Sequence, residues 1–415
     1  VMLATTLICT NAALIGTFAF LRKRSLAGDA VSHAILPGIC LSFMLTQSKN
    51  AFVLLIGAFL SGWLALLTVD GIVRQTRLKP DAALSIVLSV FYGLGILLLT
   101  AIQHSGLASQ AGLDKFLFGK AAAMVANDVY ILGSIGLLIL LIVILFYKPF
   151  KVFAFDEQYA EVKGFSVKKL HLWLSVLMVI TIAIGIQAVG VVLMAALLIT
   201  PAAAARYWTN RLPQMIVLAI LFSVSAGVVG TFISYRFAKM PTGPWMVVIL
   251  TSIAILSMLI GQKKGILKQW LKRENVRNKI LTENILKTLY HLGEKDTQFL
   301  QKRTFSQILS TRPFEMDELK KGINLLERKN LINVVEDSVW LTPEGLEEGK
   351  RITRLHRLWE LYLTEILRLP ADRVHDDAEA IEHLITPELE AQLVHRLNYP
   401  QTDPHNEPIP YHKKS

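Results

Sequence analysis

Gly28-Asp29-Ala30-Val31-Ser32-His33-Ala34-Ile35-Leu36-Pro37-Gly38 sets one carboxylate and one imidazole into an otherwise apolar segment. Asp29 and His33 are four residues apart, so on a helix they stack on one face. Ionisable side chains at membrane depth cost roughly 2.5–3.5 kcal/mol each on insertion scales and tend to mark an ion or substrate path. A carboxylate oxygen beside an imidazole nitrogen is half of a divalent-metal site. The competing reading is structural: Asp29 caps the helix near its cytoplasmic end, and His33 bonds a neighbouring backbone carbonyl.

Working outward, this stretch lies in the second of about nine apolar runs long enough to cross a hydrocarbon core, which needs about 17–25 residues. They are 1–21, 26–46, 51–69, 82–102, 128–147, 170–187, 188–205, 213–235 and 245–261. The sixth and seventh meet almost without a loop at Gln187, and merging them would invert everything upstream. The sequence opens inside an apolar run, so the natural start is expected upstream of Val1. Residues 1–21 are not read as a cleaved signal, because Arg22, Lys23 and Arg24 and then further spans follow them. With the tail cytoplasmic, nine spans place Val1 outside; the inside loops then hold 13 Lys and Arg and the outside loops 5. This asymmetry supports the orientation. Pro37-Gly38, Gly93 and Gly95, Gly185 and Gly190, and Thr200-Pro201 break several spans. Such breaks are tolerated where neighbouring helices or a wet cavity satisfy the freed backbone.

Charge divides the chain in two. Up to Gln262 there are 8 acidic and 18 basic residues, and after it 24 and 25, so the basic balance belongs to loops beside a bilayer and does not argue for nucleic acid. Cys9 and Cys40 sit in apolar segments and offer neither a disulfide framework nor zinc-ligand spacing. The inside loop 148–169 carries a short helical pattern over 156–162, ended by Gly164 as a C′ residue. It is either a docking handle for a cytosolic partner or a plain connecting turn.

Three motifs in order, G-D-A-V-S-H-A-I-L-P-G, F-D-E-Q-Y-A-E-V-K-G-F-S-V and V-G-V-V-L-M-A-A-L-L-I-T-P-A-A-A-A-R, resemble the membrane permeases of bacterial ATP-driven importers for manganese, zinc and iron. The resemblance covers residues 1 to about 261. It implies that Asp29 and His33 belong to the metal path, and that Asp156, Ala160 and Gly164 belong to a coupling helix seated in a groove of the ATPase. No G-x-x-x-x-G-K-[ST] loop occurs in the sequence, so the chain is not expected to be an enzyme, and ATP hydrolysis falls to a separate ATPase chain. The other implied partners are an extracytoplasmic metal-binding protein and a second permease chain, like or unlike this one, in a bacterial cell membrane.

Beyond the spans, 263–280 is a basic linker containing Trp270, suited to rest on anionic membrane lipid. Helical patterns at 282–292, 305–309 and 316–329, then a hairpin over 331–341 turning at Glu336-Asp337-Ser338, outline a winged helix-turn-helix. Thr342-Pro343 start a long helix. His356 and Glu360 are one turn apart on it, and His375, Glu379, Glu382 and His383 share one face of the next helix. Imidazole with carboxylate suits manganese, iron or zinc; a charged, solvated face is the other reading.

L-T-P-E-G, R-L-H-R-L-W-E, V-H-D-D-A-E-A-I-E-H and D-P-H-N-E-P-I-P resemble the metal-dependent repressors of the diphtheria-toxin-repressor type, over about 281–410. That resemblance implies ligands at His356, Glu360, His375, Glu379, Glu382 and His383, and Glu379 is like the manganese-responsive branch. The chain departs from it twice. Asn284 and Lys287 stand where the first helix supplies ligands, and Glu315, Asp317 and Glu318 open the recognition helix, where acids repel phosphate. Lys320, Lys321, Arg328 and Lys329 further along keep DNA contact open.

The fold expected is an all-α polytopic membrane bundle with a C-terminal cytoplasmic winged helix-turn-helix and a helical metal-binding/dimerisation domain, divided as 1–262, 263–280, 281–345 and 346–415. The function expected is the permease subunit of a divalent-metal importer, its metal both substrate and effector. The alternative makes the tail a metal-dependent DNA-binding repressor, tethered or released by proteolysis. A channel or secondary transporter would leave the coupling-helix resemblance unexplained.

Overall fold

The computed structural model describes residues 1–48, 50–104, 126–237, 240–370 and 385–411. The chain forms two compact units, Val1–Gln269 and Trp270–Ser415. The first is built from α1 (Met2–Leu21), α2 (Ser25–Thr46), α3 (Ala51–Gln75), α4 (Pro80–His104), α5 (Ala126–Leu145), α6 (Tyr147–Phe155), α7 (Glu157–Val162), α8 (Val167–Val189), α9 (Val191–Arg206), α10 (Leu212–Arg236) and α11 (Thr242–Ile260). Among the described residues, seven helices are long and apolar enough to cross a membrane, and α5 with α6, bent by 73°, makes an eighth.

The expected count of nine is therefore approximate. The run at 188–205 forms the shorter α9, whose 16 residues span about 24 Å at 1.5 Å per residue, less than a hydrocarbon core of about 30 Å. Gly190, between α8 and α9, marks the break. The bend after α5 has a local cause in α6, which turns Phe150, Phe153 and Ala154 inward and keeps Lys148 and Lys151 at the surface.

The helix carrying the opening motif is the hub of this unit. α2 packs on α3 and α4 and also touches α9, and its Val31, Ala34, Ile35 and Leu36 are almost completely buried. Small residues allow this. A side chain at Gly38 would run into the backbone carbonyl of Gly57 on α3, and one at Gly57 into that of Gly38. Ser61 on α3 adds a hydrogen bond to the Ala34 carbonyl at 2.6 Å.

The second unit takes most of α12 (Ile266–Asp296), followed by β1 (Arg303–Thr304), α13 (Phe305–Thr311), α14 (Met316–Arg328), β2 (Ile332–Val335), β3 (Ser338–Leu341), α15 (Pro343–Glu365) and α16 (Pro387–Arg396). The linker expected at 263–280 and the helix expected at 282–292 are one element, because no proline and no glycine before Gly293 interrupts 266–296. The compact units accordingly divide at Gln269.

The end of α12, α13 and α14 form the three helices of the winged module, and the wing is a three-stranded antiparallel sheet in the order β1-β3-β2. In the β2–β3 hairpin Val334 faces Val339 and Asn333 faces Trp340. Ile285, Leu289, Ile308, Leu319, Ile323, Leu326, Val339 and Leu341 close its core. Thr304 and Gln307 form a capping box that starts α13. Thr342 caps α15 by accepting a bond from the Gly345 amide, with Pro343 in the first turn, as expected.

Candidate functional site

Asp29 and His33 lie in the second and third turns of α2. Nε2 of His33 is 3.5 Å from Oδ1 of Asp29, with the imidazole 17% exposed and the carboxylate 41% exposed. The ring of Tyr92 on α4 meets the imidazole edge-on, with centroids 4.8 Å apart at 77°. Nδ1 of His33 is buried and has no hydrogen-bond partner. The N-cap of α2 is Arg24, five residues before Asp29, and His33 makes no bond to a carbonyl through Nδ1. A buried imidazole nitrogen without a partner carries a desolvation cost, while a carboxylate one turn away remains open to a ligand. The pair can supply one oxygen and one nitrogen to a divalent cation. Among the described residues no third His, Cys, Asp or Glu joins them in a metal-binding group.

The short helix expected over 156–162 is present as α7. Asp156 is its N-cap, accepting from the Tyr159 amide at 2.9 Å. Its C-terminus closes as a Schellman turn: Phe165 N–H bonds the Ala160 carbonyl at 3.1 Å and Gly164 N–H bonds that of Glu161 at 2.9 Å. Gly164 holds φ +82, which a side chain would strain. Ala160 is fully buried within the first unit. The other residues of α7 are exposed, and its outward apolar side chains are Tyr159 and Val162, 49% and 84% exposed.

In the second unit, His356 and Glu360 on α15 meet, Nε2 to Oε1, at 3.0 Å and are nearly completely buried. They line a cavity of about 540 Å³ together with His291, Glu294, Asp403 and His405. His375, Glu379, Glu382 and His383 lie outside the described residues. Asp403 and His405 were quoted in the sequence only as part of a motif, and the fold brings them to the same cavity as His356. Arg357 binds Glu294 through both terminal nitrogens at 2.9 Å and reaches the Pro408 carbonyl at 2.6 Å. Burial opposes ionisation of Glu294, but the bonds from His291 and Arg357 outweigh it and hold its carboxyl below the ordinary value. Asn284 and Lys287 are both buried on α12, and the Asn284 side-chain oxygen has no hydrogen-bond partner.

On α14 the acids Glu315, Asp317 and Glu318 are exposed at the start, as are Lys320, Arg328 and Lys329 further on. Lys321 is half-buried and its ammonium is held by Glu274 of α12. One of the four cations expected to face DNA is therefore neutralised within the chain.

The ABC 3 transport family model matches residues 1–261, and the model of the iron dependent repressor, metal binding and dimerisation domain matches 342–411. The chain is 37% identical over 385 residues to the manganese transport system membrane protein MntC of Bacillus subtilis, covering 92% of this chain and 88% of that relative. It is 44% identical over 276 residues to the zinc transport system membrane protein TroC of Treponema pallidum, covering 66% of this chain and 93% of that one. The solved structure of PsaBC from Streptococcus pneumoniae in complex with Fab aligns with a TM-score of 0.58 at 35% identity, covering 65% of this chain and 93% of the other. The bundle built around α2 and the match along its whole length thus agree: this chain belongs to the ABC 3 transport family of metal permeases, and it carries a repressor-type metal-binding and dimerisation domain at its C-terminal end.

Proposed function

We propose that the chain is the translocation subunit of an ATP-driven importer for manganese, zinc or iron. Asp29 and His33 take the ion in transit, α7 docks the ATPase, and the tail binds the same class of metal as an effector. The observation that carries this reading is the pair on α2: a buried imidazole nitrogen lacking a partner and a carboxylate one turn away, in the helix that packs on α3, α4 and α9. ATP hydrolysis comes from a separate chain, an extracytoplasmic protein delivers the metal, and a second permease chain completes the path. The setting is a bacterial inner membrane with the tail on the cytoplasmic side. The exposed Lys320, Arg328 and Lys329 favour a second reading, in which the tail contacts DNA, whereas the acids opening α14 and the Glu274–Lys321 pair count against it.

The test is uptake of manganese, zinc and iron in cells depleted of their own importers, with the ATPase co-expressed, for the whole chain and for one ending at Gln269. Uptake that needs the ATPase supports the reading. Accumulation without any ATPase would overturn it, and metal-dependent binding of the tail to its own promoter would move the tail to the second reading.

A further inference from the structure

Two of the three cations between α1 and α2, Arg22 and Arg24, are not solvated loop charges. Arg22 has a side chain only 11% exposed, with Nη2 3.1 Å from Glu157 Oε2, and its guanidinium lies over the Phe153 ring at 3.7 Å from the centroid. Phe153 belongs to α6 and Glu157 is the first residue of α7. Arg24 places Nη1 3.3 Å from Asp70 Oδ1 on α3 and 3.3 Å from His171 Nε2 on α8. The same His171 nitrogen lies 2.8 Å from Asp70 Oδ2, and Ser175 touches its Nδ1 at 3.3 Å.

Both flanks of α7 are thus tied to one short link. The N-terminal end is held through Glu157 and Phe153 to Arg22. The helix that follows α7 is held through His171 to Asp70, which also accepts from Arg24. The link runs straight into α2, where Asp29 follows Arg24 by five residues, about 7.5 Å along the axis at 1.5 Å per residue. Partly exposed ion pairs of this kind, with Glu157 55% exposed and Arg24 32%, contribute only about 0–1 kcal/mol to stability.

We propose that Arg22 and Arg24 are positioning residues forming a two-point clamp, which carries a displacement of α7 into α2 and so into the Asp29–His33 pair. The proposal rests on the reading of α7 as the ATPase dock. Energetic coupling between separated sites typically amounts to about 1–3 kcal/mol.

The experiment uses the complete transporter, permease with ATPase and binding protein, in proteoliposomes, with manganese uptake and ATP hydrolysis measured in the same vesicles. Arg22→Glu and the isosteric Asp70→Asn, both outside α7, should each keep the ATPase bound. Uptake per ATP should fall about tenfold, the change carried by about 1.4 kcal/mol. Combining Arg22→Glu with Glu157→Arg should restore about half of the lost coupling, because the exchanged ion pair returns while the cation–π contact with Phe153 does not. Manganese bound to the complex without ATP should be unchanged. Normal uptake per ATP in the single variants, or a double variant no better than they are, overturns the clamp. Val162→Glu, at the exposed face of α7, separates the two ideas: if it leaves ATPase binding and stimulation intact, the docking reading fails; if it abolishes them while the clamp variants couple normally, only the clamp fails.

Discussion

His33 turns Nε2 toward Asp29 Oδ1 at 3.5 Å and keeps Nδ1 buried with no hydrogen-bond partner. An unpaired buried polar group costs about 1–3 kcal/mol, and a cation bound beside the ring is one way to offset it. Asp29→Ala or His33→Ala should therefore abolish metal uptake and leave the amount of protein in the membrane unchanged, because each removes a ligand and leaves an apolar helix. Uptake at limiting manganese or zinc, set against the membrane-fraction yield, checks this. Normal transport by either variant would make the pair structural.

Replacements on α7 should divide by burial. Ala160→Leu acts through the packing of α7 on its own unit, and Gly164→Val acts through backbone strain at φ +82, worth roughly 1–2 kcal/mol. Both should lower metal-stimulated ATP hydrolysis by deforming the helix. Tyr159→Glu and Val162→Glu should lower it with the helix intact, by spoiling the outward face. Co-purification with the ATPase and stimulated hydrolysis are the readouts, and an unchanged complex with normal stimulation in all four would count against docking at α7.

How far this could be read from the chain depended on whether the signal was local. The apolar runs of α1–α4 announce themselves, since burying a span needs only composition and length. The caps at Asp156, Thr304 and Thr342 and the turn at Gly164 are written in one to four residues each. The apolar run ends at Tyr147, beside the bend after Leu145, but the 73° change of direction is not legible, because only the inward packing of Phe150 and Phe153 reveals it. The Arg22–Glu157 contact joins residues 135 apart, and no periodicity reports such a pair. The same holds for His405, which reaches the cavity of His356 from the far end of the tail. The linker was separated from α12 by its charge, although charge does not stop a helix; the unbroken run from Ile266 to Asp296 was in the sequence all along.

Arg357 and Glu294 are the pair on which the tail's interior leans. Both terminal guanidinium nitrogens bind the carboxylate at 2.9 Å, and the Arg357 side chain is 4% exposed. Arg357→Met should destabilise an isolated 270–415 fragment by about 3–5 kcal/mol, the usual cost of leaving one member of a buried pair alone. The sign of the pH dependence follows from Glu294, whose folded-state pKa lies below its ordinary 4.5. Its stabilisation is fully present above that ordinary value and is lost as pH falls through the depressed one. In the variant, burial acts with less opposition, so Glu294 should protonate at higher pH. Urea denaturation of both fragments between neutral and acid pH measures the two effects, and equal midpoints at neutral pH would show that the pair contributes nothing.

The last prediction concerns metal in the tail, where the ligand face has to be weighed against the residues behind it. His356 and Glu360 are in contact at 3.0 Å and line a cavity of about 540 Å³ shared with Asp403 and His405. The 270–415 fragment should therefore bind about one divalent ion, using imidazole and carboxylate donors that suit manganese, iron or zinc. His375, Glu379, Glu382 and His383 belong to the same expected ligand set. Lys287 is buried on α12, where the repressor resemblance expects a ligand, and a lysine side chain offers a cation no lone pair while it is protonated. Binding should fall at acid pH as the imidazoles protonate. His356→Ala or His383→Ala should remove most of it, while Asn284→Asp with Lys287→Glu should add capacity for a second ion by turning an unpartnered amide oxygen and a cation into two carboxylates. Titration calorimetry with manganese and zinc decides the matter. If the unmodified fragment takes up neither ion, or binds it indifferently to His356 and His383, these residues form a charged face and the tail is no metal sensor.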